Sequence, residues 1–464
     1  MQVVQIPFGN QTLEMPLPDS ADVLRAGTVN RLQDPIGTLE RRLAQPIGTP
    51  ALTQLLQGRS SAAVVVSDNT RPVPYREPHG ILAPLLKVLK NGGISDIRII
   101  VACGTHRAME EHELRQMLGQ AAFENGVRII NHIATDSDML RSLGHTQRTA
   151  DVTVNKHYME AEIKIATGLV EPHFMAGYSG GRKAICPGIC GQNVTYTFHS
   201  AHILNDPKAT TLVLDGNPCH EESLAIAKMA GVDFTVNVTI DARCDLTGIF
   251  CGDLESAHRA AVKHLLSYVA IPIQEAYDIV VTPAGAVGIN HYQCVKAAFE
   301  ACRALKAGGT VILTADLTDP DPIGGENYKR MLRLGVELGP QGFVRKILSP
   351  DWVFVPEQWE VQMWAKVFAH LGNADRLLLC APRISNIESG LIPEVNVAAR
   401  VARRSEEDEL AFAARVVQQT LECELANRPE ARVLVLPDGP YAICRKSDGS
   451  RTVGSRTVDP QTDA

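Results

Sequence analysis

Short apolar runs rich in Val and Ile recur along the chain at 62–66, 98–102, 127–130, 162–166, 234–239, 277–282, 309–314, 376–380 and 432–436. Most are continuous rather than alternating, the pattern of strands covered on both faces. Amphipathic stretches at 81–91, 109–118, 220–230, 254–268, 293–306, 325–337 and 359–371 lie between them and predict helices. Alternating strand and helix predicts an α/β fold with mostly parallel sheets. The start differs: Val3–Phe8, Gly9-Asn10 and Thr12–Met15 read as a hairpin. So many strands would strain one open sheet, and the strand at 277–282 begins afresh after the turn Ile271-Pro272-Ile273. The expected organisation is two α/β domains, 1–270 and 271–427, with a catalytic cleft between them. Residues 428–444 are candidates for a return to the first domain, and the polar stretch 445–464 is expected to be a mobile tail.

Composition narrows the class. A chain of 464 residues has material for about two or three domains. With 45% hydrophobic and 21% charged residues it is not disordered. A net charge of −7 without basic tracts leaves no electrostatic footprint for nucleic acid, yet permits a small anion held by a few local cations. No run reaches the roughly 18 apolar residues of a membrane helix. No Lys or Arg precedes Arg25, and Pro7, Pro16 and Pro18 interrupt the start, so no export signal is read and a cytoplasmic location is expected. The 11 cysteines show no CxxC spacing and read as reduced core residues. Cys186 and Cys190 are the nearest pair, and a zinc site would require two more ligands.

The candidate chemistry lies where strands end. Val64–Val66 leads into Asp68-Asn69-Thr70-Arg71-Pro72, which can offer an anion several donors or simply cap a helix. Ile99–Ala102 leads into Gly104-Thr105-His106-Arg107, where His106 is suited to proton transfer or to a backbone partner. Ile163–Ala166 leads towards Glu171-Pro172-His173 and then Gly177-Tyr178-Ser179-Gly180-Gly181-Arg182-Lys183. That glycine-rich segment is not a P-loop, because Arg182 separates Gly181 from Lys183 and Ala184 stands where a hydroxyl belongs. No GxGxxG occurs. Lys183 could serve as a point charge or a covalent anchor. His199 and His202 would share a helix face. After the strand at 277–282 comes His291-Tyr292-Gln293, with Lys296 one turn on. Gln293 and Lys296 lie opposite the apolar face, which fits either a cleft wall or a solvated face shared with Glu300 and Arg303. Ligands of open α/β sheets bind beyond the carboxyl ends of strands, so these motifs converge on one crevice.

In order and spacing, Asp68-Asn69-Thr70-Arg71-Pro72, Gly104-Thr105-His106-Arg107, His173 ten residues before Lys183, His199, and Gln293 three before Lys296 resemble the nickel-pincer-nucleotide-dependent lactate racemase family. The resemblance runs from the first hairpin to about residue 443. It implies a racemase or epimerase of a 2-hydroxy acid. Its cofactor would be a pyridinium mononucleotide holding nickel through two sulfurs and a ring carbon, joined covalently to Lys183 and loaded by cofactor-biosynthesis enzymes. His199 would be the protein's nickel ligand. Asp68, Asn69, Thr70 and Arg71 would hold the cofactor, and His106 and His173 would be the acid/base pair. Gln293 and Lys296 would bind the substrate carboxylate, with Tyr292 and Trp359 as pocket aromatics. Phe174-Met175-Ala176 is a candidate for tuning the side-chain pocket. Hydride would leave Cα to give a 2-oxo acid and return on either face. The other readings are an anion- or nucleotide-binding protein without this reaction, and a zinc hydrolase.

Overall fold

The computed structural model describes residues 2–241 and 243–446. Two six-stranded sheets organise it. The first runs, edge to edge, Leu246–Gly252, Phe234–Ile240, Ile163–Leu169, Ser61–Ser67, Asp96–Ala102, Val127–Asn131, parallel except for its first strand. The second runs Val395–Asn396, Leu377–Cys380, Leu305–Thr314, Tyr277–Pro283, Val433–Val435, Asp22–Val23, all parallel. Strands such as Ser61–Ser67 and Tyr277–Pro283 are buried nearly throughout because helices cover both faces. The expected strands are all present, and the helix expected at 325–337 continues to Ile347 through a break at Gly339-Pro340. No helix among the described residues is long and apolar enough to cross a membrane. All eleven cysteines are free.

Strand pairing departs from the expected partition. The hairpin Gln2–Phe8/Gln11–Leu17 buries Val4, Ile6, Phe8, Leu13, Met15 and Leu17 against Ile279, Val281 and the helix Glu409–Asn427, in the second unit. Val433–Val435 does reach residues of the expected first domain, Asp22–Val23, but it does so in the second sheet, between that strand and Tyr277–Pro283. A hairpin with one apolar face must be covered, but its pattern does not say by which sheet. Ile443–Lys446 instead pairs with Ala270–Ile273 at the junction. Apart from Arg445 and Lys446, the expected tail lies outside the described residues.

In the first sheet the strand order reverses between Ser61–Ser67 and Ile163–Leu169. In the second it reverses at Tyr277–Pro283. The crevices at these two reversals receive the loops at 68–71 and 170–183 and the helix His291–Ala301.

Candidate active site

Asp68 is buried and organises the first loop. Its Oδ1 accepts the Thr70 amide at 3.2 Å and hydroxyl at 2.5 Å. Its Oδ2 lies 2.7 Å from His106 Nδ1. Burial raises the Asp68 pKa, but the contacts with His106 and Thr70 outweigh it and hold the carboxyl below its ordinary range. An ionised Asp68 makes Nδ1 of His106 the protonated nitrogen and leaves Nε2 as the acceptor. Thus Asp68, expected to hold a cofactor, orients His106, whose side chain is 59% exposed at the mouth. Asn69 reaches Glu113 at 3.4 Å. Arg71 is not a free cation: it is paired with Glu171.

His173 has the opposite arrangement. Its Nδ1 faces the amides of Met175 and Ala176, both at 3.2 Å, so the ring proton of the neutral form sits on Nε2. That nitrogen is 3.3 Å from Lys183 Nζ. Burial, then Lys183 and Arg71, push His173 well below its usual pKa. Burial, then Arg71 and Arg182, push Lys183 down to about 7. The Lys183 amine therefore competes with its ammonium form at neutral pH. Phe174, Met175 and Ala176 are themselves buried. The backbone amides of Met175 and Ala176 fix the His173 ring.

Glycines and one arginine hold Lys183 in place. Gly177, Gly180 and Gly181 have φ of 78°, 74° and 51°. A Cβ on Gly177 would strike the Val213 carbonyl, and one on Gly180 would come within 2.6 Å of Val170 Cγ2. Arg182 is buried and donates to the carbonyls of Ala176 at 2.9 Å and Tyr178 at 2.8 Å. It pins the loop that carries Lys183.

His199 ends the helix Gln192–Phe198, and Ser200 caps the next, so His199 and His202 do not share a helix face. His202 is exposed. His199 Nδ1 donates to the Thr195 carbonyl at 2.9 Å, leaving the Nε2 lone pair free, the tautomer a metal ligand needs. Burial and then Lys183 push its pKa down to about 3, so it stays neutral. Among the described residues no three His, Cys, Asp or Glu side chains converge to hold a metal. A metal on His199 would take its other donors from a bound group, not from a zinc-type protein cage. The buried amine, the glycine cradle and this free nitrogen fit the implied nickel nucleotide.

The second unit closes the cleft. Asn290 caps the helix His291–Ala301. The polar side of that helix is not solvated: Glu300 is buried, and Lys296 is half-buried. Burial, then Arg71, push the Lys296 pKa down, while Glu360 and Glu171 oppose this. Trp359 donates its indole N–H to the Tyr292 hydroxyl at 2.9 Å and stacks on His199 with ring centroids 4.7 Å apart. Tyr196 stacks on Phe354 at 4.3 Å. Gln362 donates to the Ala201 carbonyl at 2.9 Å. Residues of both units therefore meet at one site. Glu171 and Glu360 were not selected from sequence. Each lies within two residues of a selected one, but a carboxylate's partner leaves no local signal.

Known proteins resemble this chain over most of its length. The lactate racemase N-terminal domain family matches residues 8–211, and the lactate racemase C-terminal domain family matches 273–381. The lactate racemase of Thermoanaerobacterium thermosaccharolyticum is 33% identical over 378 residues, covering 79% of this chain and 86% of that protein. The lactate racemase of Lactiplantibacillus plantarum is 31% identical over 377 residues, covering 80% and 87%. The solved lactate racemase apoprotein from T. thermosaccharolyticum matches with a TM-score of 0.82 at 27% identity, over 96% of this chain and 100% of that one. By descent and by fold, this chain belongs to the lactate racemase family.

Proposed function

We propose that this protein racemises or epimerises a 2-hydroxy acid of the lactate type, using a nickel-pincer nucleotide bound covalently at Lys183. The observation that carries the reading is the Lys183 amine, lowered to about 7, held by glycines and 3.3 Å from His173. Such an amine is a nucleophile suited to covalent attachment. Relatives along most of the chain named lactate racemase support the substrate class. When bound, the group supplies a reversible acceptor for the hydride on the substrate Cα.

The chain's own residues do the rest. His106, with Nε2 unprotonated, accepts the hydroxyl proton on one side. His173 presents an Nε2–H on the other. Each histidine must accept the hydroxyl proton in one direction and, once protonated, return it in the other, so a reaction that runs on mirror-related substrates needs both. Lys296 and Gln293 hold the carboxylate while the reacting carbon turns. Thr70, Asn69 and Arg71 border the cofactor side, where a phosphate would compete with Glu171 for Arg71. Tyr292, Trp359 and the stacked pairs across the cleft exclude water from the oxidised intermediate. Loading requires dedicated cofactor-making enzymes.

The test is co-expression with those enzymes and nickel, followed by intact mass and chiral analysis of single-enantiomer substrates. The expected result is one adduct, mapped to Lys183, and formation of the antipode. Full activity in Lys183→Ala, or turnover without an adduct, refutes the reading.

A further inference from the structure

Two buried oxygen atoms on the second unit's wall of the cleft have no hydrogen-bond partner: Gln293 Oε1 and Glu360 Oε2. Glu360 is 4% exposed and follows Trp359 on the helix Gln358–Leu371. Burial raises its pKa, while Lys296 and then the Tyr292 hydroxyl draw it back. It therefore faces two of the residues assigned to substrate. Buried polar atoms are seldom left unpaired, and an orphan in a ligand cleft calls for a partner that a bound ligand can supply.

The substrate carboxylate uses the donors, Lys296 Nζ and Gln293 Nε2. That leaves the two oxygens. An alkyl side chain such as the lactate methyl offers them nothing. A second carboxylate would oppose Glu360 and the lone pairs of Gln293. It would also find no spare cation here, since Arg71 is paired with Glu171 and Lys296 faces Glu360. A hydroxyl both donates and accepts, so it matches Glu360 in either protonation state. We propose that Glu360 and Gln293 Oε1 form a subsite for a side-chain hydroxyl, making the preferred substrate a 2,3-dihydroxy or longer polyhydroxy monocarboxylic acid. This rests on the racemase reading above and specifies its substrate.

The experiment uses the loaded full-length enzyme and single enantiomers of lactate, glycerate and malate, with antipode formation followed by chiral chromatography. The expected kcat/KM for glycerate exceeds that for lactate at least tenfold, with malate lowest. Glu360→Leu brings the glycerate-to-lactate ratio within threefold of unity. Glu360→Gln, still able to bond a hydroxyl, keeps most of the ratio. A wild-type ratio within threefold of unity, a preference for malate, or a ratio that survives Glu360→Leu overturns the subsite. The wild-type ratio and the Gln variant decide the matter even where the Leu variant fails to fold. Lactate racemised without preference for glycerate sinks only the subsite. Adduct-bearing protein that racemises no 2-hydroxy acid sinks the racemase reading beneath it.

Discussion

At the scale of single residues, the site depends on which nitrogen holds a proton. Lys183 has its pKa lowered from 10.5 to about 7 because burial, Arg71 and Arg182 all penalise the ammonium. In cofactor-free protein, acetylation of Lys183 followed by peptide mass spectrometry is expected to rise with pH through a midpoint near 7. A midpoint above 9 would show the amine charged throughout the neutral range. Asp68 fixes the His106 tautomer through one 2.7 Å contact. Asp68→Asn removes the charge that favours Nδ1–H. It should lower kcat about a hundredfold while the mass of the Lys183 adduct is unchanged. The sequence named both histidines, the lysine and Asp68. It did not reveal that Asp68 serves His106 or that Arg71 is already paired with Glu171. Those relations join residues 38 and 100 positions apart, and no local pattern encodes them.

Among the elements, the glycine-rich turn is the most sharply specified. Gly180 combines φ of 74° with a Cβ position 2.6 Å from Val170 Cγ2. Gly58 has nearly the same φ, 72°, but open space around it. Gly180→Ala is therefore expected to destabilise the fold by about 2–4 kcal/mol and to impair adduct formation. Gly58→Ala should cost only the backbone part, about 1–2 kcal/mol. Chemical denaturation of both variants checks the difference. Regular elements were legible because their periods are local. The strands at 61–67 and 277–283 and the helices between them follow from apolar runs and amphipathic spacing. The antiparallel edge Leu246–Gly252 was not read, since Thr247, Gly248 and Gly252 break its apolar run.

For the whole molecule, the two units are joined by polar contacts beneath the site. Thr211 of the first donates to Glu300 of the second, on the helix that carries Gln293 and Lys296. Burial raises the Glu300 pKa from 4.5 to about 7, against the opposing pull of Arg303 and Thr211. The folded state thus holds a proton that the unfolded state has released between those values. This contribution to stability is full below about pH 4.5 and is lost as pH rises through 7. Glu300→Gln keeps an acceptor for Thr211 without the ionisation. Its gain in Tm over the wild type should grow from pH 5 to pH 8. A constant difference in thermal scans would show that Glu300 does not titrate there.

The pairing of Asp22–Val23 with Val433–Val435 bears on how the chain is made as well as how it is arranged. Nearby, the Ala26 amide donates to Asp438, 412 residues further on. During synthesis at about 5–20 residues per second, the hairpin and its strand must wait on the order of 20–80 s for their partners to emerge. The first sheet, whose strands all lie between Ser61 and Gly252, is completed in the meantime. The ribosome therefore delivers the first sheet, with the loops that carry His106 and Lys183, before the second sheet can form. Until the second unit emerges, the apolar face of Val4, Ile6, Phe8, Leu13, Met15 and Leu17 lacks the residues that cover it in the folded chain.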